Sequence, residues 1–107
     1  MSEHTIEKLF TIIQERERMT PDNSYTARLL SSNIQHIAKK VGEEAVETAI
    51  AAVSGEKKLV ISESSDLIYH LLVLWRAAGV TTSDVWEELE KRFEKSGIEE
   101  KASRNIS

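Results

Sequence analysis

The sequence predicts an all-α fold, a bundle-like domain of four to five helices, on three observations. Apolar residues recur three and four positions apart in segment after segment, the spacing that lines one face of a helix. Asn33 and Gly55 bracket one of the two longest segments, and Gly79 stops the other. No segment elsewhere reads as a strand. With 107 residues, one proline and no cysteine, the chain fits a single domain over residues 1–107 with a modest core.

Residues 5–18 place Ile6, Leu9, Phe10 and Ile13 on one helical face, with Thr5 as the expected N-cap. The closing Glu15-Arg16-Glu17-Arg18 reads as a solvated face of weak local ion pairs, or as a turn that lets Arg16 reach a phosphate. Pro21, Asp22 and Asn23 then mark a turn. Ser24-Tyr25-Thr26 precedes a short helix over Ala27 to Leu30, and its hydroxyls either cap that helix or join its free N–H groups around an anion.

Asn33 is the expected N-cap of a long helix running to Ser54 and ended by Gly55. Ile34, Ile37, Val41, Ala45, Thr48 and Ala52 form its main stripe, while Val46, Ile50 and Val53 form a second strip on the opposite side. A helix apolar on two faces must be covered twice, by its own chain or by another subunit. Gly42 costs this helix about 1 kcal/mol relative to alanine, which a close helix approach would explain.

Lys57 to Ala78 predicts a third long helix stopped by Gly79, with Leu67 to Trp75 apolar nearly all round and therefore the most buried segment. Thr82, followed by Asp84, opens a last helix with Val85, Trp86, Leu89 and Phe93 inward and Gly97 closing it. The tail, residues 101–107, shows no periodicity and is expected to be flexible.

Two pairs of acids stand out on the long helices: Glu44 with Glu47, and Glu63 with Asp66. Three-residue spacing projects each pair in one direction. Leu59, Leu67 and Leu74 share the helical side of Glu63 and Asp66, so the second pair shares an apolar face. Facing carboxylates in such surroundings raise their own pKa values or demand a counter-ion. Oxygen ligands without cysteine suit a hard cation such as Mg²⁺ better than zinc. The plainer alternative is an exposed acidic face made by Glu43, Glu44 and Glu47. His70, four residues after Asp66, joins the same face as a core histidine or as a site residue.

Bulk properties narrow the function classes. A net charge of −4 disfavours general nucleic-acid binding, which depends on Lys and Arg contacts to phosphates, but not a small phosphorylated ligand. No window approaches a membrane span and no targeting segment leads the chain, so a cytoplasmic protein is expected. An all-helical chain of this size also favours a homodimer or larger homo-oligomer.

Three words of the sequence carry a resemblance: Ser24-Tyr25-Thr26, Lys40-Val41-Gly42-Glu43-Glu44-Ala45-Val46-Glu47, and Glu63-Ser64-Ser65-Asp66-Leu67-Ile68-Tyr69-His70-Leu71-Leu72-Val73-Leu74. They resemble the phosphoribosyl-ATP pyrophosphohydrolase family of histidine biosynthesis, within the all-α nucleoside triphosphate pyrophosphohydrolases, over about residues 5–100. The resemblance implies Mg²⁺-dependent hydrolysis of the α–β phosphoanhydride of phosphoribosyl-ATP to phosphoribosyl-AMP and pyrophosphate. It implies Glu44, Glu47, Glu63 and Asp66 as metal ligands, with Glu43, Glu44 and Glu47 as candidates for the catalytic acid–base role. It also makes Arg16, Ser24, Tyr25, Thr26 and Lys40 candidates for phosphate contact, and His70 a further site candidate. Asn33 stands where the family is expected to place glycine, a substitution that a left-handed turn tolerates. The chain carries no cyclohydrolase domain of the kind fused in many relatives, so the next step is expected from a separate protein. Two other readings remain: a house-cleaning nucleoside triphosphate pyrophosphatase of the same superfamily, and a non-catalytic helical dimerisation module whose acids pair with Lys39, Lys40 or Arg76.

Overall fold

The computed structural model describes residues 4–93, and these form five helices with no strand among them: α1 (Thr5–Arg16), α2 (Tyr25–Ser31), α3 (Ile34–Ser54), α4 (Lys57–Ala78) and α5 (Thr82–Phe93). The expected Gly97 stop and the tail fall outside the described residues. No described helix is long and apolar enough to cross a membrane.

The two long helices fold back on each other as a hairpin and begin and end where expected. Asn33 caps α3 by accepting the His36 N–H at 2.8 Å. Gly55 (φ 75°) and Gly79 (φ 76°) end α3 and α4 in the left-handed region that favours glycine. At the second of these ends the Val80 N–H reaches back to the Trp75 carbonyl at 2.9 Å, so the chain turns sharply into α5.

The core lies at one end of the hairpin, where α1 and α2 cover it. Phe10 and Ile13 from α1, Leu29 from α2, Ile37 from α3, and Leu72 and Val73 from α4 form it. Tyr69, Leu74 and Trp75 pack at its edge. Trp75 meets Trp86 of α5 edge-on, ring centres 6.0 Å apart. Glu7 of α1 pins the same helix by accepting from the Thr82 hydroxyl at 2.7 Å and from Trp86 Nε1 at 2.5 Å. The partners of Glu7 lie 75 and 79 residues away, and no local pattern announces them.

Several expectations need correction. The N-cap of α1 is His4, with Thr5 the first helical residue. Thr82 opens α5 as expected, and the residue before it caps the helix: the Asp84 N–H donates to Thr81 Oγ1 and the Thr81 N–H to Asp84 Oδ2, a reciprocal capping box. Leu89 and Phe93 point to solvent, Phe93 at 77% exposure. The covered stripe of α3 is also displaced from the one expected. Ile37 and Ala51 are buried and Val41, Glu44 and Thr48 half-buried, while Ile34, Ala45 and Ala52 are exposed. Only α4 covers the far half of α3, so one face is closed and the strip Val46, Ile50, Val53 stays bare, Val53 at 90% exposure. Nothing lies within 4 Å of a Cβ built on Gly42, so no close approach accounts for that glycine.

Candidate active site

The displaced stripe puts Glu44 in line with Val41 and Thr48 on the side of α3 that faces α4. From α4, Glu63 and Asp66 meet it: ligand oxygens of Glu44, Glu63 and Asp66 all lie within 4.8 Å of one another. Three carboxylates this close repel. Glu63 is accordingly pushed above its ordinary pKa, first by desolvation and then by the charges of Glu47, Glu44 and Asp66. Glu47 thus stands beside the group without joining the three-way convergence. Glu43 turns aside and pairs with Lys40 at 3.4 Å.

A concave cavity of about 680 Å³ opens next to these acids, and Asp66 belongs to both. Its walls bring together five further candidates from α1, α4 and the α2 segment: Arg16, Ser24, Tyr25, Thr26 and His70. Ser24 caps α2 by accepting the Ala27 N–H at 3.1 Å, as expected of a hydroxyl at a helix start. Thr26, 2% exposed, bonds the Tyr69 hydroxyl at 2.5 Å, and burial holds the Tyr69 phenol above its ordinary pKa. Lys40 stands close by, its pKa raised first by the Tyr25 oxygen and then by Glu43.

Tyr69 is the site residue that sequence reasoning passed over. It lines the cavity, stacks on Tyr25 with ring centres 6.2 Å apart, and meets His70 edge-on at 5.0 Å. Its position three residues after Asp66 is a signal that could have found it, since it shares that face of α4.

The donor set suits a hard divalent ion: three convergent carboxylates, no sulfur, and one carboxylate that its neighbours force toward the protonated state. The polar wall beside it supplies one cation, Arg16, and several hydroxyls. A charged, phosphorylated ligand fits such surroundings.

Comparison with known proteins agrees. The family model for phosphoribosyl-ATP pyrophosphohydrolase matches residues 6–93. The chain belongs to the phosphoribosyl-ATP pyrophosphohydrolase family. It is 52% identical over 99 residues to a phosphoribosyl-ATP pyrophosphatase of Granulibacter bethesdensis, 92% of this chain and 62% of that protein. Relatives of the same name from Paramagnetospirillum magneticum (50% over 99 residues, 92% of this chain and 91% of that protein) and Azospirillum brasilense (48% over 104 residues, 97% and 94%) match nearly end to end. The chain thus spans less than two thirds of the Granulibacter protein but nearly the whole of the other two. For a family member with asparagine at position 33, the turn needs no left-handed residue: Asn33 has φ −83° and serves as an ordinary cap.

Proposed function

We propose that this chain hydrolyses the α–β phosphoanhydride of phosphoribosyl-ATP to phosphoribosyl-AMP and pyrophosphate, with Mg²⁺, as a cytoplasmic step of histidine biosynthesis. Membership of the phosphoribosyl-ATP pyrophosphohydrolase family supports the substrate. The observation that carries the chemistry is Asp66, a carboxylate common to a three-acid cluster and to a cavity lined by Arg16. Such an arrangement sets charge neutralisation beside a place for the nucleotide, which is what anhydride hydrolysis chiefly needs.

Glu44, Glu63 and Asp66 would hold the ion, with Glu47 completing the set. Mg²⁺, when bound, neutralises phosphate charge and acidifies a water. Glu43, Glu44 and Glu47 are the candidates for the carboxylate that takes the proton of the attacking water. Glu43 orients the Lys40 ammonium, and Lys40 and Arg16 answer the negative charge of the phosphates. Ser24, Tyr25 and Thr26 shape the wall on which the rest of the nucleotide rests.

The functional unit is a homodimer or larger homo-oligomer in this reading. Val46, Ile50 and Val53 of α3 and Leu59, Ile61 and Ile68 of α4 are all exposed. A second copy of the chain would cover them, and sedimentation velocity at micromolar concentration tests this: a monomer of 12.1 kDa would refute it.

The deciding experiment for the chemistry is pyrophosphate release from phosphoribosyl-ATP, with and without Mg²⁺, beside ATP and dUTP. Mg²⁺-dependent release from phosphoribosyl-ATP alone is expected. Release from the simple nucleotides would move the chain to the house-cleaning branch, and no release from any would return it to a binding module.

A further inference from the structure

His70 is 6% exposed, and both its ring nitrogens are engaged. Nδ1 lies 2.7 Å from the backbone carbonyl of Asp66. A carbonyl only accepts, so Nδ1 carries the hydrogen. In the neutral ring Nε2 is then an acceptor, and the Tyr25 hydroxyl 3.0 Å away must donate to it. The hydroxyl has one hydrogen, so the outer side of the Tyr25 oxygen offers lone pairs alone. The ring is held against rotation by stacking on Tyr69 and by the edge of His70, ring centres 6.2 and 5.9 Å away. Tyr25 nevertheless stays 45% exposed at the cavity wall. A buried histidine has therefore fixed the polarity of an exposed hydroxyl.

We infer that His70 is a positioning residue that makes Tyr25 an obligate hydrogen-bond acceptor, which takes an O–H or N–H of the sugar or base of the bound nucleotide rather than donating to its phosphates. This rests on the phosphoribosyl-ATP reading for the identity of the ligand, but the proton arrangement does not. A site that demands a donor at one point rejects ligands lacking it, because the oxygen is then left desolvated and unpaired. Phosphate oxygens, which only accept, are turned away from this point of the wall and toward Arg16.

The proton arrangement is read without substrate by long-range ¹⁵N–¹H correlation of the full chain at pH 8, where an imidazole is neutral. The Nδ1–H tautomer of His70 is expected, with its Nε2 signal moving in Tyr25→Phe; an Nε2–H tautomer overturns the inference. Kinetics then read the consequence. Tyr25→Phe and His70→Asn, which keeps the donor to Asp66 but loses the acceptor for Tyr25, should each raise KM for phosphoribosyl-ATP about tenfold, the equivalent of one hydrogen bond, with kcat within about twofold. The double variant should be no worse than either single one. His70→Gln, which restores an acceptor toward Tyr25, should stay within about threefold of the parent. Equal losses in the Asn and Gln variants, additive losses in the double variant, or an unchanged KM in Tyr25→Phe would each sink it. If the unaltered protein released no pyrophosphate, the hydrolase reading would fail, and the tautomer measurement would still decide the role of His70.

Discussion

Two clusters of side chains around glutamates meet opposite fates. Glu7, between α1 and α5, receives a hydroxyl and an indole N–H, and these donors hold its carboxyl below the ordinary range. Glu63, between α3 and α4, receives no such donors in its surroundings of Glu44, Glu47 and Asp66, and desolvation with like charge lifts it above that range. The residue type is the same and only the neighbours differ. A carboxylate met by donors is finished structure, whereas one met by carboxylates is left with a repulsion that a cation would relieve.

The sharpest way to break this comparison is to remove one acid from the unfinished cluster. Asp66→Asn or Glu47→Gln should lower pyrophosphate release on the order of a thousandfold, since a bound ion supplies several kcal/mol of transition-state stabilisation. Circular dichroism should show the helices intact, because neither residue belongs to the core. Near-normal turnover in either variant would remove that residue from the ligand set.

Supplying a cation is the next test. Mg²⁺ at about a hundred times its dissociation constant should stabilise the fold by roughly 2.7 kcal/mol, a rise in melting temperature on the order of 10 °C. Asp66→Asn should abolish that rise, and Glu7→Gln should leave it intact. An equal response in both variants would mean that the ion binds elsewhere.

The finished cluster is tested by acid. Because the folded state holds Glu7 below its unfolded pKa, its contribution is fully present above the unfolded value, about 4.3, and is lost as pH falls through the folded one. Glu7→Gln should cost about 1 kcal/mol at pH 7 and flatten the loss of melting temperature below pH 4.5. If the variant melted in parallel with the parent down to pH 3, Thr82 and Trp86 would not be what stabilises the ionised carboxyl.

Glu63 has the opposite sign. Its folded pKa is raised, so its contribution is most favourable below the unfolded value and is lost as pH rises through the folded one. Glu63→Gln, assayed without metal, should therefore melt slightly higher than the parent at pH 8 and no higher at pH 4. A variant less stable than the parent at pH 8 would show that the Glu63 carboxylate is stabilised in the folded state rather than strained by its neighbours.

The same contrast explains what could be read from the chain. The hairpin was legible because its signals are local: Asn33, Gly55 and Gly79 each act within a few residues of themselves. The pair Glu63 and Asp66 was legible for the same reason, since two residues three apart on a helix need no knowledge of the fold to share a face, whereas Glu47 stands outside the convergence that Glu44 joins. The stripe of α3 was not. Several registers through Ile34, Ile37 and Val41 satisfy helical spacing, and only the seat of α4 selects the one that runs through Glu44 and buries Ala51. Leu89 and Phe93 were misassigned inward because amphipathicity identifies an apolar face without saying whether anything covers it. Glu7, with partners in the last helix, was beyond any window. The Tyr25–His70 bond spans 45 residues and was equally hidden, although both names stood in the quoted words.

Gly42 gives the hairpin a soft spot two residues before Glu44, with open space where a side chain would be. A helix yields first where it has neither a Cβ to restrict its backbone nor a neighbour to brace it. Amide hydrogens around residues 42–46 should therefore exchange with solvent sooner than those around Ile37, and Gly42→Ala should slow them while adding about 1 kcal/mol of stability. A segment that yields there lets the Glu44 carboxylate shift, so under the proposed reading the alanine variant should trade turnover for rigidity.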